Sequence, residues 1–123
     1  YRGDAEVVRS LVGRGVHPDI RLKEKGNNTA LNFASRGGHL DVIRFLLDQR
    51  AELDARNDFA ETPLLCAANR ARGDVCRLLV EAGADVHAMD ENGDNALDFL
   101  GPGISARKKE CREVLWKAGC QRR

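Results

Sequence analysis

Apolar residues along this chain recur on a helical period. In HLDVIRFLLDQ, residues 39–49, Val42, Ile43, Leu46 and Leu47 fall on one face of a helix. DVCRLLVEA, residues 74–82, repeats the pattern with Val75, Cys76, Leu79 and Val80. GDAEVVRSLVGRGV, residues 3–16, carries it on Val7, Val8, Leu11 and Val12. KKECREVLWKAGC, residues 108–120, carries it on Cys111, Val114, Leu115 and Trp116, and this spacing places Trp116 in the core beside Leu115. No segment reads as a clear strand.

A shorter helix is predicted ahead of three of these. Thr29, Thr62 and Asn95 are residue types whose side-chain oxygen caps free backbone N–H groups. Pro63 follows Thr62 at the first helical position, where its missing N–H costs nothing, and Ala30 and Ala96 hold the matching places. Small pairs, Ala34-Ser35 and Ala67-Ala68, let neighbouring helices approach closely. Gly37-Gly38 and the RARG of 70–73 then break the chain before the long helix. Gly83 stops the second long helix, and ADVHAMDENGD, residues 84–94, reads as a turn-rich hairpin-like loop.

The pattern repeats at a fixed interval. Leu31, Leu64 and Leu97 stand 33 residues apart, as do Ala34 and Ala67, Val42 and Val75, and Leu46 and Leu79. One unit cannot fold alone. Its few buried aliphatic side chains contribute ~1.5–3 kcal/mol each, whereas ordering the backbone costs ~1–2 kcal/mol for every residue. Each unit must therefore bury the face of the next.

The residues resemble ankyrin repeats. Thr62-Pro63-Leu64, Ala67-Ala68, Val75, Leu78-Leu79, Gly83-Ala84-Asp85 and Gly93 carry the likeness, and residues 28–47 are similar. The resemblance implies an all-α solenoid of helix-turn-helix units with protruding hairpin loops. About four units are expected, at 1–25, 26–58, 59–91 and 92–123, the first without its short helix and the last divergent. Several residues depart from the family pattern. Asn32, Leu65 and Asp98 replace its usual histidine, which weakens the expected bonding between loops. Arg50 stands where a helix-ending glycine belongs, and a left-handed conformation there costs roughly 1 kcal/mol. Gly101-Pro102-Gly103 should cut the last short helix, with Ser105 placed to cap the basic helix that follows.

Composition removes several functions. Of 123 residues, 20 are Lys or Arg and 19 Asp or Glu, so a net charge of +1 gives no reason to expect nucleic acid or an anionic membrane. No apolar run approaches the ~18–20 residues of a bilayer helix. Cys66, Cys76, Cys111 and Cys120 have no metal-site spacing with one another or with His17, His39 and His87, so no metal or other cofactor is expected. They read as free thiols in an intracellular reducing compartment, cytoplasmic or nuclear, with an organelle interior as the alternative. No phosphate loop and no nucleophile–base set is present, and the carboxylates fall at turns and on solvated faces, so no catalysis is expected. Two RGD triplets, at 2–4 and 72–74, read as helix starts rather than adhesion motifs. The basic run Arg107-Lys108-Lys109 reads as the solvated face of a terminal helix.

The expected role is a protein-interaction module. Alternatives are a subunit built permanently into a large assembly, or the ankyrin portion of a larger enzyme or channel. By resemblance, a partner protein binds the loop tips and short helices. On this chain that surface gathers Asn28, Arg36, Phe59, Glu61, Asn69, Arg70 and Asp94. Phe59 is the expected anchor, rimmed by Asp58 and Glu61, unless it packs on the neighbouring loop. Arg36 and Arg70 are expected to hold carboxylates of the partner. Val7, Val8, Leu11 and Val12, lacking a covering short helix, are expected to be covered by upstream sequence or another protein.

Overall fold

The computed structural model describes residues 21–22, 26–103 and 105–120. Within them the chain runs β1 (Arg21–Leu22), β2 (Asn28–Thr29), α1 (Ala30–Gly37), α2 (Leu40–Asp48), α3 (Pro63–Asn69), α4 (Gly73–Glu81), α5 (Ala96–Leu100) and α6 (Ala106–Lys117). β1 and β2 pair antiparallel, Arg21 opposite Thr29 and Leu22 opposite Asn28, where no clear strand was expected. The helix predicted over 3–16, its apolar edge and the first RGD triplet lie outside the described residues. The RGD at 72–74 is a helix start, with the Asp74 carboxylate accepting from the Val75 N–H at 2.8 Å.

Each short helix begins where a side chain closes its first turn. Thr29 Oγ1 accepts from the Asn32 N–H at 3.2 Å, and Thr62 Oγ1 from the Leu65 N–H at 3.3 Å. Asn95 and Asp98 cap reciprocally, at 3.0 and 2.9 Å. Ser105 Oγ accepts from the Lys108 N–H at 3.3 Å. The Gly-Pro-Gly stretch ends α5 after 5 residues.

The short helices form one stack. α1 packs on α3 and α3 on α5, while each short helix also packs on its own long helix, and α4 packs on α6. Leu31, Leu64 and Leu97 fill the seam between layers, with Ala34, Ala67 and Ala68 allowing close approach. The long helices contribute Val42, Ile43 and Leu46, then Val75, Cys76 and Leu79, then Cys111 and Leu115. Trp116 corrects the sequence reading: it is 63% exposed rather than core. Its register is that of Leu47 and Val80, which neighbouring residues half cover, but no described element packs over Trp116. Asn32 and Ser35 are buried on α1, and their side chains find no hydrogen-bond partner among the described residues.

The repeat imposes backbone conformation by register rather than by residue type. Arg50, Gly83 and Gly119 close the long helices at φ 64, 102 and 95°. Asn27, Ala60 and Gly93 hold φ 59, 60 and 81° at one loop position. Gly38 and Ala71 turn short helix into long at 77 and 53°. Arg50 is left-handed as expected, and Ala60 and Ala71 join it.

All four cysteines are free and buried. Burial pushes the Cys66 thiol from 9.0 up to about 12. A hydrogen bond to Cys111, together with burial, raises Cys76, and burial raises Cys120.

Two outcomes follow from these conformations and thiols. Arg50→Gly should stabilise the fold by up to ~1 kcal/mol in urea melts, because relief of left-handed strain outweighs the added chain entropy. A neutral or destabilising result would mean that the strain at Arg50 does not exceed the added chain entropy. For Cys66 the folded pKa lies above the unfolded one, so its contribution is complete below pH 9.0 and is lost as pH rises towards about 12. Melts of the wild type and Cys66→Ala across that window should therefore converge as pH rises. Parallel pH dependence of the two proteins would contradict this.

Candidate protein-binding surface

The protruding loops are held together across units by a ladder of hydrogen bonds. The Asp58 N–H donates to the Gly26 carbonyl at 2.9 Å, and the Glu91 N–H to the Phe59 carbonyl at 3.0 Å, the same step one unit on. Arginines reinforce it. Arg21 donates to the Arg56 carbonyl, and Arg56 donates to the Met89 carbonyl at 2.8 Å. The Asp85 N–H reaches Asp54 Oδ1 at 3.1 Å. The replaced family histidine was expected to weaken bonding between loops. These other groups supply that bonding instead.

Asn57 organises the middle loop. Its Oδ1 accepts from the N–H groups of Phe59 and Glu61, at 2.9 and 3.0 Å. Its Nδ2 donates to Asn28 Oδ1 at 2.8 Å and to Glu61 Oε1 at 2.9 Å. Asp90 does the same in the next loop, accepting from Asn92 at 2.9 Å and from Asp94 at 3.0 Å. Sequence reasoning missed Asn57. Its signal was available, because Asn57 and Asp90 stand 33 residues apart.

The expected surface residues divide on this geometry. Asn28 is buried and bound to Asn57. Glu61 is turned inward, so Asp58, which is exposed, rims Phe59 without it. Arg36 is occupied internally: its Nη2 pairs with Glu61 Oε1 at 3.2 Å and approaches Cys66 Sγ at 3.8 Å. Those three side chains join α1 to the next unit from within, and Arg36 is already committed to a carboxylate of its own chain. Asp94, in the register of Glu61, is half-buried on Asp90. Asn69 and Arg70, at the end of α3, are exposed.

Phe59 remains open to solvent, with 52% of its surface exposed. Its ring edge also lies over Gly26, with Cε2 3.4 Å from where a β-carbon there would stand, so it both packs on the neighbouring loop and faces solvent. Met89, on the next loop, is 43% exposed, and the sequence reading did not single it out. Its only signal was an apolar residue in a polar loop. Trp116 lies apart, in a groove of about 350 Å³ lined by Leu97, Arg112, Glu113 and Lys117.

Among the described residues no cluster of His, Cys, Asp and Glu is placed to hold a metal ion, and no helix is long and apolar enough to cross a membrane. The surface offers hydrogen-bonded backbone, two exposed apolar side chains and exposed polar groups.

Comparison with known proteins agrees with the architecture. A family model described as "Ankyrin repeats (3 copies)" matches residues 1–98. The chain is 36% identical over 92 residues to the transient receptor potential cation channel subfamily A member 1 homolog of Caenorhabditis elegans, covering 72% of this chain and 7% of that protein. It is 32% identical over 91 residues to the E3 ubiquitin-protein ligase KEG of Arabidopsis thaliana, covering 74% of this chain and 6% of the ligase. It is 40% identical over 76 residues to the human ankyrin repeat and KH domain-containing protein 1, covering 60% of this chain and 3% of that protein. The chain thus spans only a small part of the length of these relatives. Ankyrin repeats are non-catalytic and mediate protein–protein interaction. The stacked helix pairs, the laddered loops and the match over residues 1–98 together place this chain in the ankyrin repeat family.

Proposed function

We propose that this chain is a non-catalytic binding module that holds a partner protein along its loop tips and short helices, with Phe59 as the anchor. The observation that carries this reading is a half-exposed aromatic on a loop fixed from both sides. Phe59 is 52% exposed, while the bonds from Asp58 to Gly26 and from Glu91 to Phe59 immobilise its backbone. A side chain presented in this way loses little ordering entropy on binding. Met89, Asn69, Arg70 and the outer edge of Asp94 extend the contact. Asn28, Arg36 and Glu61 support it from beneath through Asn57. The units are proposed at 1–25, 26–58, 59–91 and 92–123, and the four free thiols suit a reducing compartment inside the cell.

A second reading is that these repeats serve a larger channel or enzyme. It is favoured by the length of the relatives, of which the chain matches 7% and 6% in the first two. Both readings give the repeats the same task.

Copurification from native extract with mass spectrometry identifies the partner, and titration calorimetry then measures its affinity. Phe59→Ala should weaken binding about tenfold. Arg44→Ala and Glu81→Ala, exposed on the long helices, should leave it unchanged. Loss of binding in the long-helix variants with none in Phe59→Ala would place the interaction elsewhere.

A further inference from the structure

At the edge opposite the loops, where short helices turn into long ones, arginines from one unit bind the helix end of the unit before it. Arg72 Nε donates to the Arg36 carbonyl at 3.2 Å, at the end of α1. Arg107 Nη2 donates to the Arg70 carbonyl at 2.7 Å, at the end of α3. Both acceptors carry the partial negative charge of a helix C-terminus, which draws the guanidinium groups in and fixes them. A carbonyl does not neutralise an arginine, however, and each guanidinium keeps donors to spare.

The other charges on this edge leave it positive. Arg36 is paired with Glu61 at 3.2 Å, and Arg77 with Glu110 at 3.5 Å. The exposed carboxylates Asp41 and Asp74, in the first turns of α2 and α4, keep their charge but are outnumbered by the cations. Arg70, Arg72, Arg107 and Lys108 have no carboxylate partner among the described residues. Arg70 and Arg107 are exposed, and Arg72 and Lys108 are partly so.

We infer that this edge binds an acidic peptide segment in extended, polyproline-like conformation, with a carboxylate at every third residue. Spacing selects that ligand. The Arg36 and Arg70 carbonyls sit at matching ends of α1 and α3, and packed helices lie ~8–10 Å apart, so Arg72 and Arg107 repeat at about that interval. A polyproline-like strand has three residues per turn and rises ~3.1 Å per residue, which sets every third side chain on one face ~9 Å from the last. Each carboxylate then meets one prefixed guanidinium in charge-assisted bonds. A single-stranded nucleic acid fits less well, because Asn69–Asp74 and Arg107–Lys108 include no aromatic side chain for a base to stack on. The edge shares Asn69, Arg70 and the Arg36 backbone with the proposed loop surface but not Phe59, so Phe59→Ala tests that surface and leaves this one untouched.

Fluorescence anisotropy of the full chain against labelled peptides decides the matter. A peptide with Glu at every third position should bind, weaken as salt rises, and bind about tenfold less tightly to Arg70→Glu and to Lys108→Glu. Circular dichroism verifies each variant, with Arg70→Ala substituted if Arg70→Glu unfolds. No binding, equal binding of a peptide with the same residues in one contiguous acidic block, tighter binding of oligouridylate, or unchanged affinity in the folded variants would each overturn the inference.

Discussion

The burial of one short helix against the next is the contact on which the rest of this structure depends. Leu31, Leu64 and Leu97 occupy the same place in α1, α3 and α5, and all three are buried in one core. Alanines 34, 67 and 68 keep the helices close enough for that core to be continuous. The long helices close the other side of the same core through Val42, Ile43 and Leu46 and their equivalents. No layer has a core of its own, so the stack is stable only as a stack.

The exposed features are consequences of that stacking. Layers at a constant offset bring each loop beside the next, which aligns Asp58 with Gly26 and Glu91 with Phe59. The same offset carries Arg72 and Arg107 to the helix ends of the preceding unit. Strain is distributed by the repeat as well. Ala60 and Ala71 adopt left-handed backbone because their register demands it, although glycine fills the matching places at Gly93 and Gly38. The stack thus fixes where the long helices and loops lie, and with them every exposed group they carry.

Much of this was legible in the sequence, because it is written locally. The period, the caps at Thr29, Thr62, Asn95 and Ser105, the break at Gly101–Gly103 and the left-handed Arg50 all follow from residue type and spacing. What escaped depends on neighbours. Arg36 and Glu61 each read as a surface charge, and only the packing of one unit on the next brings them within 3.2 Å. Trp116 matched an apolar position, but burial there needs something packed above it, and the helical period carries no such information. Asn57 was hidden because an asparagine in a loop is unremarkable until its register with Asp90 is compared.

The central claim is that no unit holds its fold without its neighbours. Circular dichroism of a synthetic peptide covering residues 59–91, the best-matched unit, measures this directly beside the full chain. The account predicts little helix in the peptide and no cooperative melt at any temperature, while the full chain is helical and melts cooperatively. A peptide that is helical and unfolds in a sharp transition of its own would contradict it.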